Sequence, residues 1–248
     1  MNVSSMITSF SILLTNKCNL FCDHCIVDAC PDGDMMFDYE LMENIIEGMM
    51  YHDLKFIGIS GGEPFLFKKF LKQICYDFKN AGIASIIATN AFWASTYQLA
   101  ISNLEEMYKI GLRKIILSYD QYHEKYIPIE NIHHATKAAK EIGIYFDIFV
   151  TAFEINKANY YKKLLSFVSD ENIFLTVVEK AGRATTIRED DSYNSDLDYS
   201  LYKCNKLENP ILLFSGKVVA CCDLLVSKTY EPEPGSLLCL GNIYVCVQ

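Results

Sequence analysis

The segment SFSILLT at residues 9–15, followed by NKCNLFCDHC at residues 16–25, is the part of the chain from which the fold can be predicted. The apolar first part predicts a buried strand, and the polar second part predicts a loop. This loop carries Cys18, Cys22 and Cys25 at C-x3-C-x2-C spacing. Thiolates select soft metals and iron–sulfur clusters, and such clusters normally take four cysteines. Three cysteines would therefore leave one iron open for chemistry, as in catalytic metal sites.

Two other uses of these cysteines are a structural zinc site and a disulfide framework. A zinc site needs a fourth ligand, which Cys30 or His24 would supply. Disulfides are typical of secreted proteins, and nothing else in the chain has that character. The spacing resembles the signature of the radical SAM superfamily, C-x3-C-x-φ-C, in which φ is usually aromatic and is His24 here. The resemblance implies a [4Fe–4S] cluster held by three cysteines, with His24 beside the cofactor.

Length and composition limit the classes of protein that the chain can belong to. Its 248 residues are 51% hydrophobic, which is enough for one large α/β domain with or without a small appendage. The net charge of −9 disfavours non-specific nucleic-acid binding. No apolar run is long enough to span a membrane, and the N-terminus lacks the basic region of a secretory signal. Ten cysteines without a secretory signal favour metal or redox roles in the cytoplasm.

Apolar segments and amphipathic segments alternate along the first 178 residues or so. Six predicted strands alternate with five predicted helices, which predicts a parallel sheet with helices outside it. We expect the α/β fold of an incomplete (β/α)6 TIM-like barrel; an open doubly wound sheet is the alternative. The predicted strands are 9–15, 56–60, 83–89, 114–118, 144–151 and 173–178, and the predicted helices are 38–51, 66–79, 96–110, 130–142 and 157–168.

Unusual polar groups follow several predicted strands, at the edge where such barrels carry their active sites. Gly61-Gly62-Glu63-Pro64 follows the second strand and matches the "GGEP" motif of the radical SAM superfamily. In that superfamily this edge holds the amino group of S-adenosylmethionine (SAM). Asn90 follows the third strand, and Ser118 and Asp120 end the fourth. The resemblance implies that these three contact the ribose and the methionine carboxylate, whereas helix capping would explain each of them separately.

The resemblance also implies the chemistry of the chain. SAM chelates the open iron, one electron cleaves its C5′–S bond, and the resulting 5′-deoxyadenosyl radical abstracts a hydrogen atom from the substrate. A flavodoxin or ferredoxin type of protein would supply the electron. The later G-x-I-x-G-x-x-E element of the superfamily is only partly present at residues 150–154, which leaves the adenine contacts unassigned. Residues 181–184 are a further SAM or substrate contact, or a turn.

The sequence after Ile187 changes character, since residues 188–199 are polar and acidic. We therefore predict a radical SAM core over residues 1–187 and a C-terminal region over 188–248. Cys204, Gly216 and Cys221 match the C-x(9–15)-G-x4-C opening of the Fe–S appendages called SPASM and Twitch, and 211–214 and 217–221 predict a hairpin. The long cysteine run of a full SPASM appendage is absent from this sequence. The resemblance implies one auxiliary [4Fe–4S] cluster, with Cys239 or Cys246 joining the first two cysteines; a zinc site or a longer native chain are the alternatives.

Cys222 stands next to Cys221, and adjacent residues of a strand point to opposite faces of a sheet. A thiol there would donate a hydrogen atom to a substrate radical. With the loops after the third and fourth strands, this pair resembles the radical SAM peptide epimerases, which implies a precursor peptide as substrate, L-to-D epimerisation at Cα and an acid/base or positioning role for Glu208. The alternatives are thioether or carbon–carbon crosslinking of a peptide, modification of a small metabolite, and a non-catalytic zinc-binding interaction protein.

Overall fold

A run of parallel strands forms the centre of the molecule, and its strands follow one another in space as they do in the chain. The computed structural model describes residues 10–152, 162–178, 182–187, 210–213, 216–219 and 239–242. The strands of the run are β1 (Phe10–Thr15), β2 (Phe56–Gly61), β3 (Ala84–Thr89), β4 (Leu112–Ser118), β5 (Tyr145–Ala152) and β6 (Ile173–Val177). The helices between the first five strands are α1 (Met42–Tyr51), α2 (Lys68–Asn80), α3 (Tyr97–Lys109) and α4 (Ile129–Ile142).

The helices cover one face of this sheet, and the main core lies between the two layers. In α2 the residues Leu71, Ile74, Cys75 and Phe78 recur at helical spacing and are fully buried. Cys75 is therefore a core residue, as its position in a predicted helix indicates. Burial of this kind stabilises a sheet by about 25 cal/mol for each Å² of apolar surface removed from water.

The ends of the helices follow capping chemistry that is visible in the sequence. Thr96 precedes α3, and its hydroxyl accepts a hydrogen bond from the backbone N–H of Leu99. Gly143 ends α4 in the left-handed conformation, with φ of 85°. The predicted start of the second helix at Leu66 is wrong. Residues Pro64–Phe67 form a 3-10 turn, and α2 begins after it at Lys68.

Three further strands of the described chain extend the sheet beyond β1. They are β7 (Ile211–Leu212), β8 (Lys217–Val219) and β9 (Cys239–Asn242). β7 lies parallel to β1, and β8 and β9 follow as antiparallel neighbours. The pairing of β7 with β8 confirms the predicted hairpin in its described part. The division of the chain at residue 187 stays a prediction.

The predicted incomplete (β/α)6 barrel is confirmed. All five pairings within the run from β1 to β6 are parallel, so the C-terminal ends of these strands lie along one edge. This edge is where enzymes with such sheets hold their ligands. None of the helices in the described part of the chain combines the length and the apolar run that crossing a membrane requires.

Candidate active site

The loop after β1, residues 16–30, carries the three clustered cysteines and is called the cysteine loop below. The backbone N–H of Cys18 donates to the carbonyl of Cys30, and the N–H of Cys30 donates to the carbonyl of Asn16. A tight turn brings the Cys25 N–H within 3.1 Å of the Cys22 carbonyl oxygen. The three cysteines are free thiols that line one cavity of about 430 Å³. The loop therefore places Cys18, Cys22 and Cys25 around one space.

The three sulfurs lie in surroundings that disfavour three thiolates without a positive partner. Burial raises the pKa of the Cys18 thiol to about 12, and the charges of Glu63 and Cys25 add to the shift. Burial, followed by the charges of Cys25 and Cys18, also raises the pKa of Cys22, and burial raises the pKa of Cys25. Backbone N–H groups of Leu20 and Ala29 approach the sulfurs of Cys18 and Cys25 at 3.4 Å. Thiolates in such a place need metal ions to balance their charge.

Gly61, which ends β2, and Gly62, which follows it, let the chain pass close to the cysteine loop. The Gly62 N–H donates to the carbonyl of Thr15 at 2.5 Å, and the Glu63 N–H donates to the carbonyl of Lys17 at 2.8 Å. A Cβ on Gly62 would overlap that Lys17 carbonyl, so a larger residue does not fit. Gly61 adopts φ of 123°, which favours glycine. Both glycines line the cavity beside the cysteines.

The Glu63 side chain is fully buried and is bonded within the protein. Its carboxylate accepts hydrogen bonds from the backbone N–H groups of Phe65 and Asn90 and from the hydroxyl of Thr89. Burial raises its pKa to about 7, and these three hydrogen bonds oppose the shift. Glu63 therefore fixes the end of β3 against the end of β2. Its carboxylate therefore bonds to other parts of the fold, while Gly61 and Gly62 of the same motif line the cavity.

Asn90 and Ser118 line the same cavity. The Asn90 side-chain N–H₂ donates to Asn19 Oδ1 at 2.9 Å and lies 3.8 Å from Cys18 Sγ. The residue thus joins the end of β3 to the cysteine loop, next to a predicted cluster ligand. Ser118 is the last residue of β4 and is partly exposed to the cavity.

Asp120 forms a network with two histidines that line the cavity, His24 and His123. Its Oδ1 accepts from the N–H groups of Tyr122 and His123 and lies 2.9 Å from His123 Nδ1. Its Oδ2 lies 3.6 Å from His24 Nε2. Burial alone would raise the pKa of Asp120, but the charge and hydrogen bonds of His123 and the charge of His24 lower it overall. Asp120 therefore remains a carboxylate that joins the β4 edge to the cysteine loop.

His24 is held in this network by ring stacking and lies against the Asp120 carboxylate. Its ring stacks on Tyr122 with centroids 4.3 Å apart. Burial lowers its pKa to about 4, so the imidazole is neutral at physiological pH. Its Nδ1 is buried and has no hydrogen-bond partner among the described residues. His24 lines the cavity, and a buried nitrogen without a partner is typical of a place that takes up an ordered water molecule or a ligand group.

The structure thus brings together most of the predicted cluster and SAM residues around one cavity. Pro64 and Asp120 do not line it; Pro64 is buried at the start of its 3-10 turn. The sequence analysis assigned no role to His123, Thr151 and Thr176, which also line it, whereas Arg183, another lining residue, belongs to the 181–184 segment that was predicted to contact SAM or substrate or to form a turn. Two of these, Thr151 and Thr176, stand near the C-terminal ends of β5 and β6, so the strand-end rule applies to them as well. The predicted residues Cys204, Glu208, Cys221, Cys222 and Cys246 lie outside the described residues, and Cys239 is described only as part of β9.

The donor set fits an iron–sulfur cluster with one open iron, together with SAM. Three unpaired thiols with raised pKa values line one cavity, and N–H groups point at two of the sulfurs. Among the described residues, no fourth cysteine lines this cavity. The rest of the cavity wall is formed by the glycine edge and polar side chains, and the volume of the whole cavity, about 430 Å³, lies in the range of about 300–1,000 Å³ typical of small-molecule sites.

Comparison with known proteins agrees with this geometry. The profile of the radical SAM superfamily matches residues 12–168. The chain belongs to the radical SAM superfamily. Members of this superfamily bind a [4Fe–4S] cluster and SAM, which the cavity accommodates, so the chain is a radical SAM enzyme. The match covers the cysteine loop and every strand from β2 to β5.

Individual relatives are more distant. YydG of Bacillus subtilis (strain 168), a protein assigned to peptide biosynthesis, is 22% identical over 227 residues, which span 88% of this chain and 70% of YydG. A protein of Methanocaldococcus jannaschii assigned as a GTP 3′,8-cyclase is 26% identical over 216 residues, or 86% of this chain and 69% of that one. The crystal structure of BtrN in complex with AdoMet and 2-DOIA matches 97% of this chain and 79% of BtrN, with a TM-score of 0.55 and 14% identity. The structural match shows the fold alone.

Proposed function

We propose that this radical SAM enzyme modifies a ribosomally synthesised peptide, and that the modification is L-to-D epimerisation at Cα. The observation that carries the peptide assignment is the relationship to YydG, which extends over 88% of the chain and is named for peptide biosynthesis. The observation that favours epimerisation is the Cys221-Cys222 pair, which follows β8 by two residues.

The described residues have defined tasks in this proposal. Cys18, Cys22 and Cys25 hold the cluster, and the Gly61-Gly62 edge with Asn90 and Ser118 orients SAM. The cluster and SAM together supply hydrogen-atom abstraction when they are bound. The apolar sheet beneath the cavity and the buried network around Asp120 keep water away from the reacting atoms. The protein's contribution is therefore position, charge and exclusion of solvent.

Epimerisation requires a second hydrogen donor on the opposite side of the substrate. In the proposal, the Cys222 S–H bond breaks and a new Cα–H bond forms on the face opposite to the one that lost hydrogen. The resulting thiyl radical regains a thiol by taking up one electron and one proton, and a flavodoxin or ferredoxin type of reductant is the source of the electron. Glu208 serves as an acid/base or positioning group for the peptide.

An auxiliary [4Fe–4S] cluster in the C-terminal region belongs to the same proposal. Its ligands are Cys204 and Cys221, joined by Cys239 or Cys246. The pairing of Cys239 with Val219 across β8 and β9 supports this set, because Cys221 lies only two residues beyond Val219. The proposed division is a core over residues 1–187 and an auxiliary-cluster region over 188–248.

Anaerobic reconstitution with a candidate precursor peptide in deuterated water tests the proposal. We expect SAM cleavage and a gain of one mass unit for each epimerised residue, because the donated hydrogen comes from an exchangeable thiol. Cys222→Ala should still cleave SAM but make no D-residue. A loss of two hydrogen atoms without deuterium gain would instead indicate crosslinking, and normal D-residues from Cys222→Ala would exclude Cys222 as the donor.

A GTP-directed reaction is the second candidate, because the M. jannaschii relative is assigned as a GTP 3′,8-cyclase. A triphosphate is normally bound by several cationic groups. In the described part of the cavity wall the only Lys or Arg is Arg183, and its guanidinium is bonded to Cys22, Asp28 and Ala29. SAM cleavage that depends on GTP and not on peptide would support this second candidate.

A further inference from the structure

Arg183 crosses the cysteine loop and binds it at four points. Its Nε donates to the carbonyl of Cys22 at 3.0 Å, and its Nη2 donates to the carbonyl of Ala29 at 2.6 Å. Its Nη1 lies 2.8 Å from Asp28 Oδ1. Its backbone N–H donates to the carbonyl of Cys25 at 3.1 Å. One residue near the end of the barrel therefore fixes the backbone of two predicted cluster ligands.

The packing around Arg183 is as close as its hydrogen bonding. The guanidinium lies 4.0 Å from the ring centroid of Phe21, and 13% of the side chain is exposed. Gly182, with φ of 56°, precedes it, and a Cβ there would overlap the carbonyl oxygens of Cys25 and Ile26. This 3-10 turn, Gly182–Thr186, thus lies against the loop too closely for any other residue at position 182. The planar fork of arginine suits such a site, because it can serve several carbonyl groups at once.

The charge of Arg183 acts on the same space as the three cysteines. Arg183 lines the cavity, and its guanidinium is bonded to the backbone of Cys22, so its positive charge lies beside the space that the three cysteines line. Asp28 balances this charge only in part, since 31% of its side chain is exposed to water. Reduction of a cluster adds one negative charge, and a nearby cation in a poorly solvated site favours that state.

We propose that Arg183 is a positioning residue for the SAM-binding cluster, which holds the cysteine loop in its ligating shape and raises the reduction potential of the cluster. The proposal rests on membership of the radical SAM superfamily and not on the choice of a peptide or epimerisation. It has two separable parts, because the hydrogen bonds depend on the arginine fork and the potential depends on the charge.

Two substitutions separate these parts. Arg183→Gln removes the charge and the fork, whereas Arg183→Lys keeps a charge but cannot make the same set of bonds. Arg113→Gln is the matched control, because Arg113 also donates to two backbone carbonyls and lies over a tyrosine ring. It stands near the N-terminal end of β4, whereas the cavity lies at the C-terminal end of that strand. Each protein is reconstituted anaerobically, and the cluster whose EPR spectrum changes with SAM is titrated for its midpoint potential.

We expect Arg183→Gln to shift the reduction equilibrium by about tenfold towards the oxidised cluster, which is about 59 mV for one electron. Arg183→Lys should keep the wild-type potential and retain less iron, and Arg113→Gln should change neither. In the apo proteins, amides of residues 21–30 should exchange with deuterium about tenfold faster in Arg183→Gln. Unchanged exchange would refute the positioning part. Because the exchange is measured on the apo proteins, this result can be read even if the variant binds no cluster. An unchanged potential in Arg183→Gln, or an equal fall in Arg183→Lys, would refute the charge part.

Discussion

The buried Glu63 makes a specific prediction about how stability depends on pH. Its folded pKa is raised from 4.5 to about 7, so between these values the folded state binds more protons than the unfolded state. Stability that is present at pH 4.5 and below is therefore lost as the pH rises towards 7. At about 1.36 kcal/mol per pKa unit, the group makes the protein less stable by about 3 kcal/mol across this window.

Glu63→Gln isolates this effect, because the amide has nearly the same shape and carries no charge. The variant should be less stable than wild type at pH 5, since its N–H₂ group cannot accept the hydrogen bond that an oxygen of the wild-type carboxyl group accepts there. This cost does not depend on pH, whereas the wild-type protein weakens as Glu63 ionises. The gap between the two proteins should thus close by about 3 kcal/mol between pH 4.5 and pH 8.

Urea unfolding of the apo proteins at a series of pH values measures this gap. Glu47→Gln is the control, because Glu47 is an exposed residue of α1 and should give a curve parallel to wild type. A gap between Glu63→Gln and wild type that stays constant, or widens as the pH rises, would refute the reasoning. It would mean that the hydrogen bonds to the carboxylate outweigh its burial.

Two further substitutions test the contacts that form the cavity. Gly62→Ala should destabilise the protein by about 3 kcal/mol and impair cluster retention, because its Cβ overlaps the Lys17 carbonyl. The control is Gly48→Ala on α1, where the Cβ meets nothing within 4 Å, and it should stabilise the protein by about 0.5–1 kcal/mol. Equal effects in urea unfolding would contradict the close approach. Thr89→Val should lower the free energy of unfolding by about 2–4 kcal/mol, because the Thr89 hydroxyl accepts from Trp93 Nε1 at 2.9 Å and donates to Glu63. Thermal unfolding measures this change, and a loss of stability below about 1 kcal/mol would count against the network.

The repeated elements and the strand-end positions could be predicted from local sequence, because both depend on periodicity. The apolar run before the cysteines predicted β1, and Gly143 predicted the end of α4. The rule that parallel strands end at one edge brought Cys18 and Asn90 into one site, and the structure places their side chains within hydrogen-bonding distance. These inferences need only the spacing of residues and the geometry of the elements.

Contacts between distant parts of the chain could not be predicted in this way. Arg183 binds Cys22 across 161 positions, and nothing in the sequence around residue 183 indicates that partner. The burial of Glu63 was also missed, because a conspicuous motif glutamate suggests a ligand contact and its donors come from β3 and the following turn. The place of β7 beside β1 is similarly a long-range pairing. Such contacts depend on the packing of complete elements, which single-sequence patterns do not encode.

The central claim is that Cys18, Cys22 and Cys25 hold a cluster with one iron open to SAM. EPR spectroscopy of the reduced, anaerobically reconstituted protein, with and without SAM, tests it most directly. Wild type and Cys75→Ala, in which the altered cysteine lies in the core of α2, should show a signal that changes when SAM is added. The variant with all three loop cysteines changed to alanine should lose about four iron atoms and this SAM-dependent change. A SAM-dependent signal that survives in the triple variant would contradict the claim.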